Sequence, residues 1–181
     1  EEKFSTENTY PAPVNNYAIT KYEAEIAVRN NNPSSLIIRT NFFGWGTNYR
    51  YSFSDFIINN LRNNHKVNLF TDIFYTPILI DELVYCIHDL IKINEYGVFN
   101  VVSSERISKY DFGEMFADCF GLNSLLIKPT LYRKQVNSVL RPKDMSLSNY
   151  KLLNVLEREI PSLNDQLLSL KKQENLVSRD F

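Results

Sequence analysis

Glycine is scarce in this chain, and what its scarcity rules out is the first fact of use. Only Gly44, Gly46, Gly97, Gly113 and Gly121 occur in 181 residues, and no Gly-x-Gly-x-x-Gly or Gly-x-x-Gly-x-x-Gly is among them. A dinucleotide-phosphate turn is therefore not encoded within the sequence; Gly44-x-Gly46 lacks the third member. Cysteine stops at two, Cys86 and Cys119, both inside apolar helical patterns. That excludes a disulfide framework, provides no metal-ligand spacing, and reads as reduced core thiols of a cytoplasmic protein. The two histidines, His65 and His88, have no partner at ligand spacing and read as structural or surface residues. No apolar run approaches the roughly 20 residues of a membrane span, and no signal-peptide pattern opens the chain. Nor does either sign of charge dominate: 20 basic and 21 acidic residues, scattered, give a net −1. Neither nucleic acid nor an anionic membrane is expected as a partner.

What is present is enough for one sizeable core with a small second lobe. The organising stretch is Asn15–Gly46, NNYAITKYEAEIAVRNNNPSSLIIRTNFFGWG. An Asn cap at 15 or 16 starts a helix to about Arg29, and Asn30-Asn31-Asn32-Pro33 breaks it. The apolar, β-branched run Ser35–Thr40 reads as a buried strand. Helix, breaker and strand make one step of a parallel α/β sheet, and ligands sit at the ends of such strands. That end is Asn41-Phe42-Phe43-Gly44-Trp45-Gly46. On the helix, Tyr17 and Lys21 stand one turn apart, roughly 5–6 Å at Cβ. A cation beside a phenol favours its ionised form, which suits the phenol to exchange a proton with a carbonyl or alcohol oxygen. With eleven tyrosines and eleven lysines, about one such pair arises by chance, so the spacing alone does not separate a catalytic pair from a solvated surface face.

Downstream, residues 52–63 read as an amphipathic helix with Phe53, Phe56, Ile57 and Leu61 inward, followed by a strand over 66–70. Asp81 is expected to cap a helix to about Ile93 with Leu83, Val84, Ile87, Leu90 and Ile91 inward. A buried strand is expected over 97–102, then a helix capped by Ser108-x-x-Asp111 and stopped by Gly121. A short strand over 125–128 ends at Pro129, a short helix spans about 148–156, and Ser162-x-x-Asp165 caps the last helix. Alternating helices and strands without repeats make the class α/β.

Four pieces, in order, resemble the extended short-chain dehydrogenase/reductases that act on nucleotide sugars, the dTDP-4-dehydrorhamnose reductases in particular. They are Asn16-Tyr17-Ala18-Ile19-Thr20-Lys21 with Glu23-Ala24-Glu25; Ile37-Ile38-Arg39-Thr40; Val98-Phe99-Asn100-Val101-Val102 with Ser108-Lys109-Tyr110-Asp111-Phe112; and Arg141-Pro142-Lys143-Asp144-Met145-Ser146-Leu147. The resemblance implies the C-terminal portion of a Rossmann-type fold, residues 1–46, followed by a smaller α/β substrate lobe, 47–181, whose strand at 97–102 returns to the main sheet. It implies hydride transfer from NADPH or NADH to the C4 ketone of a nucleotide-linked 4-keto-6-deoxy sugar, in cell-surface polysaccharide biosynthesis. Tyr17 would protonate the alkoxide, and Lys21 would assist it and hold the nicotinamide ribose.

Asn41 resembles an Asn that sugar-nucleotide epimerases and dehydratases place near the substrate phosphates, and is assigned to cofactor and substrate. Phe42, Phe43 and Trp45 are candidates to stack on a sugar or base face, Phe42 and Trp45 foremost, with core or lid packing the competing reading for all three. Thr76 is a candidate cleft residue. Arg141 is a candidate for the nucleotide diphosphate, against a plain surface role. Arg39 reads as a buried structural partner of a carboxylate or carbonyl, and Glu23 and Glu25 as a solvated face. The departures are Ala18 in place of Gly, Asn41-Phe42-Phe43-Gly44 where the reductases carry Ser-Trp, and no upstream Ser/Thr of the catalytic trio. An epimerase or dehydratase, and a non-catalytic regulatory subunit on the same fold, therefore stay open. Because the chain begins with Glu and lacks the phosphate turn, it is expected to be the back part of a longer polypeptide. Alone it should bind dinucleotide poorly and self-associate along an unpaired sheet edge; a homodimer is the simplest oligomer.

Overall fold

The computed structural model describes residues 3–47, 49–133 and 140–174. An extended lead-in, tied by the Ser5 bridge to Leu147, brings the chain to α1 (Asn16–Asn31). Then follow β1 (Leu36–Arg39), β2 (Phe42–Phe43), α2 (Phe53–Arg62), β3 (Val67–Phe70), β4 (Phe74–Tyr75), β5 (Ile78–Leu79) and α3 (Ile80–Lys92). The second half adds β6 (Gly97–Asn100), β7 (Ile107–Ser108), α4 (Lys109–Phe120), β8 (Ile127–Thr130), β9 (Asp144–Met145), α5 (Tyr150–Leu156) and α6 (Leu163–Glu174).

The strand pairs are mostly parallel, as an alternating α/β order requires. β1 lies parallel to β6 with Ile37 opposite Val98 and Ile38 opposite Phe99. β2 pairs with β5 and β3 with β8, both parallel, while β4 is flanked by antiparallel β7 and parallel β9. Two cores result. The larger joins α2, α4, α6, β3 and β8 around Ile57, Ile58, Leu69, Phe112, Phe116, Leu163 and Leu167. The smaller lies under β1 and β6, where Ile78, Leu90, Phe99 and Leu152 meet α3 and α5.

Local signals set most boundaries. Asn15 Oδ1 accepts from Ala18 N–H at 2.9 Å, the Ser52 and Ser108 hydroxyls accept from Asp55 and Asp111 N–H, and Gly121 ends α4 at φ 69°. The left-handed φ at Gly121 favours glycine, which carries no Cβ to clash. Four expectations are corrected. α3 begins two residues early, with Leu79 at the cap position, because β5 runs straight into it; Asp81 lies in the first turn and accepts from Gln173 instead of capping. Its buried stripe is Leu83, Cys86 and Leu90, leaving Val84 and Ile91 exposed, a face turned one residue from the expected one. On α2, Ile57, Ile58 and Leu61 point inward and Phe56 is 46% exposed, stacked on Phe53 at the flank. The strand expected over 125–128 starts two residues later, after a 3-10 turn (Ser124–Leu126), and contains Pro129. A proline is tolerated there because β8 pairs on one side only, with β3.

Candidate active site

α1 is a helix without a single buried residue. Its inner face is held to β1 by one ion pair: Arg39 Nε and Nη2 donate to the two Glu25 oxygens at 2.9 and 2.7 Å. Arg39 Nη1 also donates to the Glu7 carbonyl. Arg39 is thus the structural partner expected of it. Glu25 departs from the expected solvated face, its side chain being largely covered. The signal was available, since residues 17, 21 and 25 share one helical face at successive turns.

Above this pair the face opens. Tyr17 is 72% exposed, with Lys21 Nζ lying 5.6 Å from its ring centroid. Both line a cleft of about 900 Å³ bounded by α1, the lead-in at Thr9–Pro11, β1, the strand end Thr40-Asn41-Phe42, and Asp144–Leu147. Phe42, 60% exposed, forms part of the wall. Asn41 is fixed by its Nδ2 donating to Met145 O at 2.9 Å, which leaves Oδ1 for a ligand. Thr40 Oγ1 is buried with no hydrogen-bond partner.

Two wall features were not foreseen. Tyr10 from the lead-in packs edge-on against Tyr22, and the hydrogen bond between them, with burial, holds the Tyr22 phenol above its usual range. Asp144 is covered enough that burial pushes its carboxyl up, but Arg106, at 2.6 and 3.0 Å, and Ser146 outweigh that and hold it below the usual carboxylate range.

The remaining candidates lie outside this cleft. The Trp45 indole packs edge-on against Phe116 and Phe120 and donates to Leu170 O. Thr76 is fully buried, its hydroxyl accepting from Leu147 N–H. Arg141 is exposed, one residue before the cleft-lining Pro142. Gly46 donates its N–H to the Asp55 carboxylate, and a Cβ there would collide with the Arg50 carbonyl. The Gly44-x-Gly46 turn therefore already holds an anion of its own at Gly46.

A family model described as the RmlD substrate binding domain matches residues 1–175. The chain belongs to the RmlD substrate-binding domain family. A curated relative, the probable low-salt glycan biosynthesis reductase Agl14 of Haloferax volcanii, is 29% identical over 171 residues, 93% of this chain and 57% of that protein. A crystal structure of a dTDP-4-dehydrorhamnose reductase from Clostridium acetobutylicum superposes with a TM-score of 0.85 at 24% identity, over 97% of this chain and 61% of that one. Another from Bacillus anthracis, in complex with NADP, gives 0.83 at 20% identity, over 96% and 60%. The RmlD-family chain thus spans less than two thirds of the length of these relatives. Its mixed α/β architecture is that of the reductase fold. Among the described residues, no helix is long and apolar enough to cross a membrane.

Proposed function

We propose that this chain carries the catalytic Tyr–Lys pair and the substrate lobe of an NAD(P)H-dependent reductase. The reaction is reduction of the C4 ketone of a nucleotide-linked 4-keto-6-deoxy sugar, in polysaccharide biosynthesis. The observation that carries the reading is that Tyr17 and Lys21 line one cleft together with Asn41 and Phe42, in an RmlD-family chain. In this reading residues 1–46 end the dinucleotide-binding part and residues 47–181 are mainly the substrate lobe, with the strand at 97–102 returning to the main sheet, as the β1–β6 pairing supports.

The nicotinamide-ribose end of a dinucleotide fits Tyr17 and Lys21, an exposed phenol and ammonium on one face; the chain itself carries no glycine-rich turn for the phosphates. Reduced nicotinamide, when bound, supplies the hydride. The Tyr17 hydroxyl donates a proton to the carbonyl oxygen as it becomes an alkoxide, and the Lys21 ammonium stabilises the phenolate left behind. Asn41 Oδ1 accepts from a ligand N–H or hydroxyl, and Phe42 offers an apolar face to the sugar. Soluble nicotinamide and nucleotide-sugar pools put this reaction in the cytoplasm.

The test is to incubate the full-length protein with dTDP-4-keto-6-deoxyglucose and its epimers plus NADPH or NADH, and identify the product by mass and NMR. A C4 alcohol formed with matching loss of reduced cofactor supports the reading. Epimerisation or dehydration without net cofactor consumption refutes it.

A further inference from the structure

Tyr17 stands in the first turn of a helix that buries none of its residues, so packing does little to fix where its hydroxyl lies. The ties that leave α1 are polar: Glu25 to Arg39, Tyr22 to Tyr10, and at the N-terminal end Asn15. Asn15 uses both halves of its amide. Oδ1 accepts from Ala18 N–H at 2.9 Å and caps the helix, while Nδ2 donates to Leu140 O, also at 2.9 Å. Leu140 is 125 residues away in the chain. It stands just before Pro142, and Pro142 and Asp144–Leu147 line the same cleft as Tyr17 and Lys21. Farther along that segment, the Ser5 backbone pairs with Ser146 and Ser148, and Asn41 Nδ2 donates to Met145 O. Those bonds fix the lead-in and the end of β1 to it; Asn15 supplies the joint for the Tyr17 end of α1.

The residue type is informative. Asn, Asp and Ser cap helices about equally well, and a carboxylate is further favoured by the positive end of the helix dipole. A cap alone has no use for the second half of an amide. Asp offers no donor to a carbonyl, and a Ser hydroxyl ends one bond earlier, short of Leu140 O. We propose that Asn15 is a positioning residue for the reduction: with one amide it caps the turn that carries Tyr17 and holds that turn at a fixed span from the 140–147 wall of the cleft. This rests on the reductase reading above. Proton transfer needs hydrogen-bond reach, and a misplacement of about 1 Å can cost up to about 10²-fold in rate. Lys21, one turn on, moves with the same helix.

The experiment compares full-length wild-type protein with Asn15→Ser, which keeps a cap and removes the donor to Leu140, and Asn15→Ala, which removes both. Turnover of a nucleotide-linked 4-keto-6-deoxy sugar, thermal unfolding and amide hydrogen exchange are read on each. Asn15→Ser is expected to keep the wild-type Tm to within about 1 °C and to exchange faster over residues 140–147. Its kcat should fall about tenfold, with KM for the reduced nicotinamide changed less than about twofold. Asn15→Ala should show the same loss of kcat together with a lower Tm. If Asn15 only caps α1, Asn15→Ser will match wild type in kcat and exchange while Asn15→Ala alone is impaired, and the proposal falls. It falls equally if exchange quickens in Asn15→Ser with kcat unchanged. A wild-type protein inactive on every such ketone defeats the reductase reading, and the positioning role with it. Exchange at 140–147 is scored without turnover, so loss of the tether is distinguishable from loss of that reading.

Discussion

α1 and α4 are helices of similar length with opposite circumstances. α4 buries Phe112, Gly113, Phe116, Ala117 and Phe120 in the larger core, whereas α1 buries nothing. A helix of this length is marginal in water by itself, so each needs an external support. For α4 that support is apolar area; for α1 it is a cap and one carboxylate–guanidinium pair. The difference teaches where stability and chemistry reside in this fold. The packed side fixes the larger core, and the lightly tethered side leaves a phenol and an amine exposed on the cleft.

That contrast can be broken or sharpened by substitution. Phe112 touches Phe43, Phe53, Tyr75 and Phe116 from a fully buried position. Phe112→Ala is expected to cost about 3–5 kcal/mol in denaturant unfolding. One turn back on the same helix, Lys109→Met should stabilise, because the folded-state pKa of Lys109 lies below that of the unfolded chain. The penalty for charging it is full below about pH 7 and fades as pH rises into the ordinary lysine range. The variant's gain in Tm should therefore be several degrees at pH 6 and smaller at pH 9; a gain that grows with pH would contradict the sign.

On α1, Arg39→Met strands the largely covered Glu25 and should cost about 1–3 kcal/mol. Asn15→Ala removes the cap and should cost about 1 kcal/mol. Ile26→Gln, on the helix's exposed face, should change stability by less than about 0.5 kcal/mol. If Ile26→Gln matched Phe112→Ala, the two-sided picture would fall.

Much of the fold was legible because its signals are local. The caps at Asn15, Ser52, Ser108 and Ser162, and the stop at Gly121, each depend on residues within one turn. The inward faces of α2 and α3 were not, since which residue turns in depends on the element opposite. Ile58 is buried by strands and helices that no window around it contains, and Val84 and Ile91 are left exposed because no described element lies opposite them. The site divides in the same way. That Tyr17 and Lys21 share one helix face was legible from their spacing; the cleft beside them was not. Trp45 was not, because an aromatic at a strand end carries no sign of whether it faces ligand or Phe120. Lys109 stood in one of the four matching pieces, but nothing local marked its surroundings: its aromatic neighbours Phe53 and Tyr75 come from α2 and β4.

The claim on which the account turns is that the Tyr17 hydroxyl supplies the proton to the reduced ketone. Its direct measurement is steady-state oxidation of NADPH, or of NADH if that is the donor, by full-length wild-type and Tyr17→Phe protein with a nucleotide-linked 4-keto-6-deoxy sugar. The account predicts a fall in kcat of roughly 10²–10⁴ with binding of dTDP retained. A Tyr17→Phe enzyme turning over at the wild-type rate would contradict it.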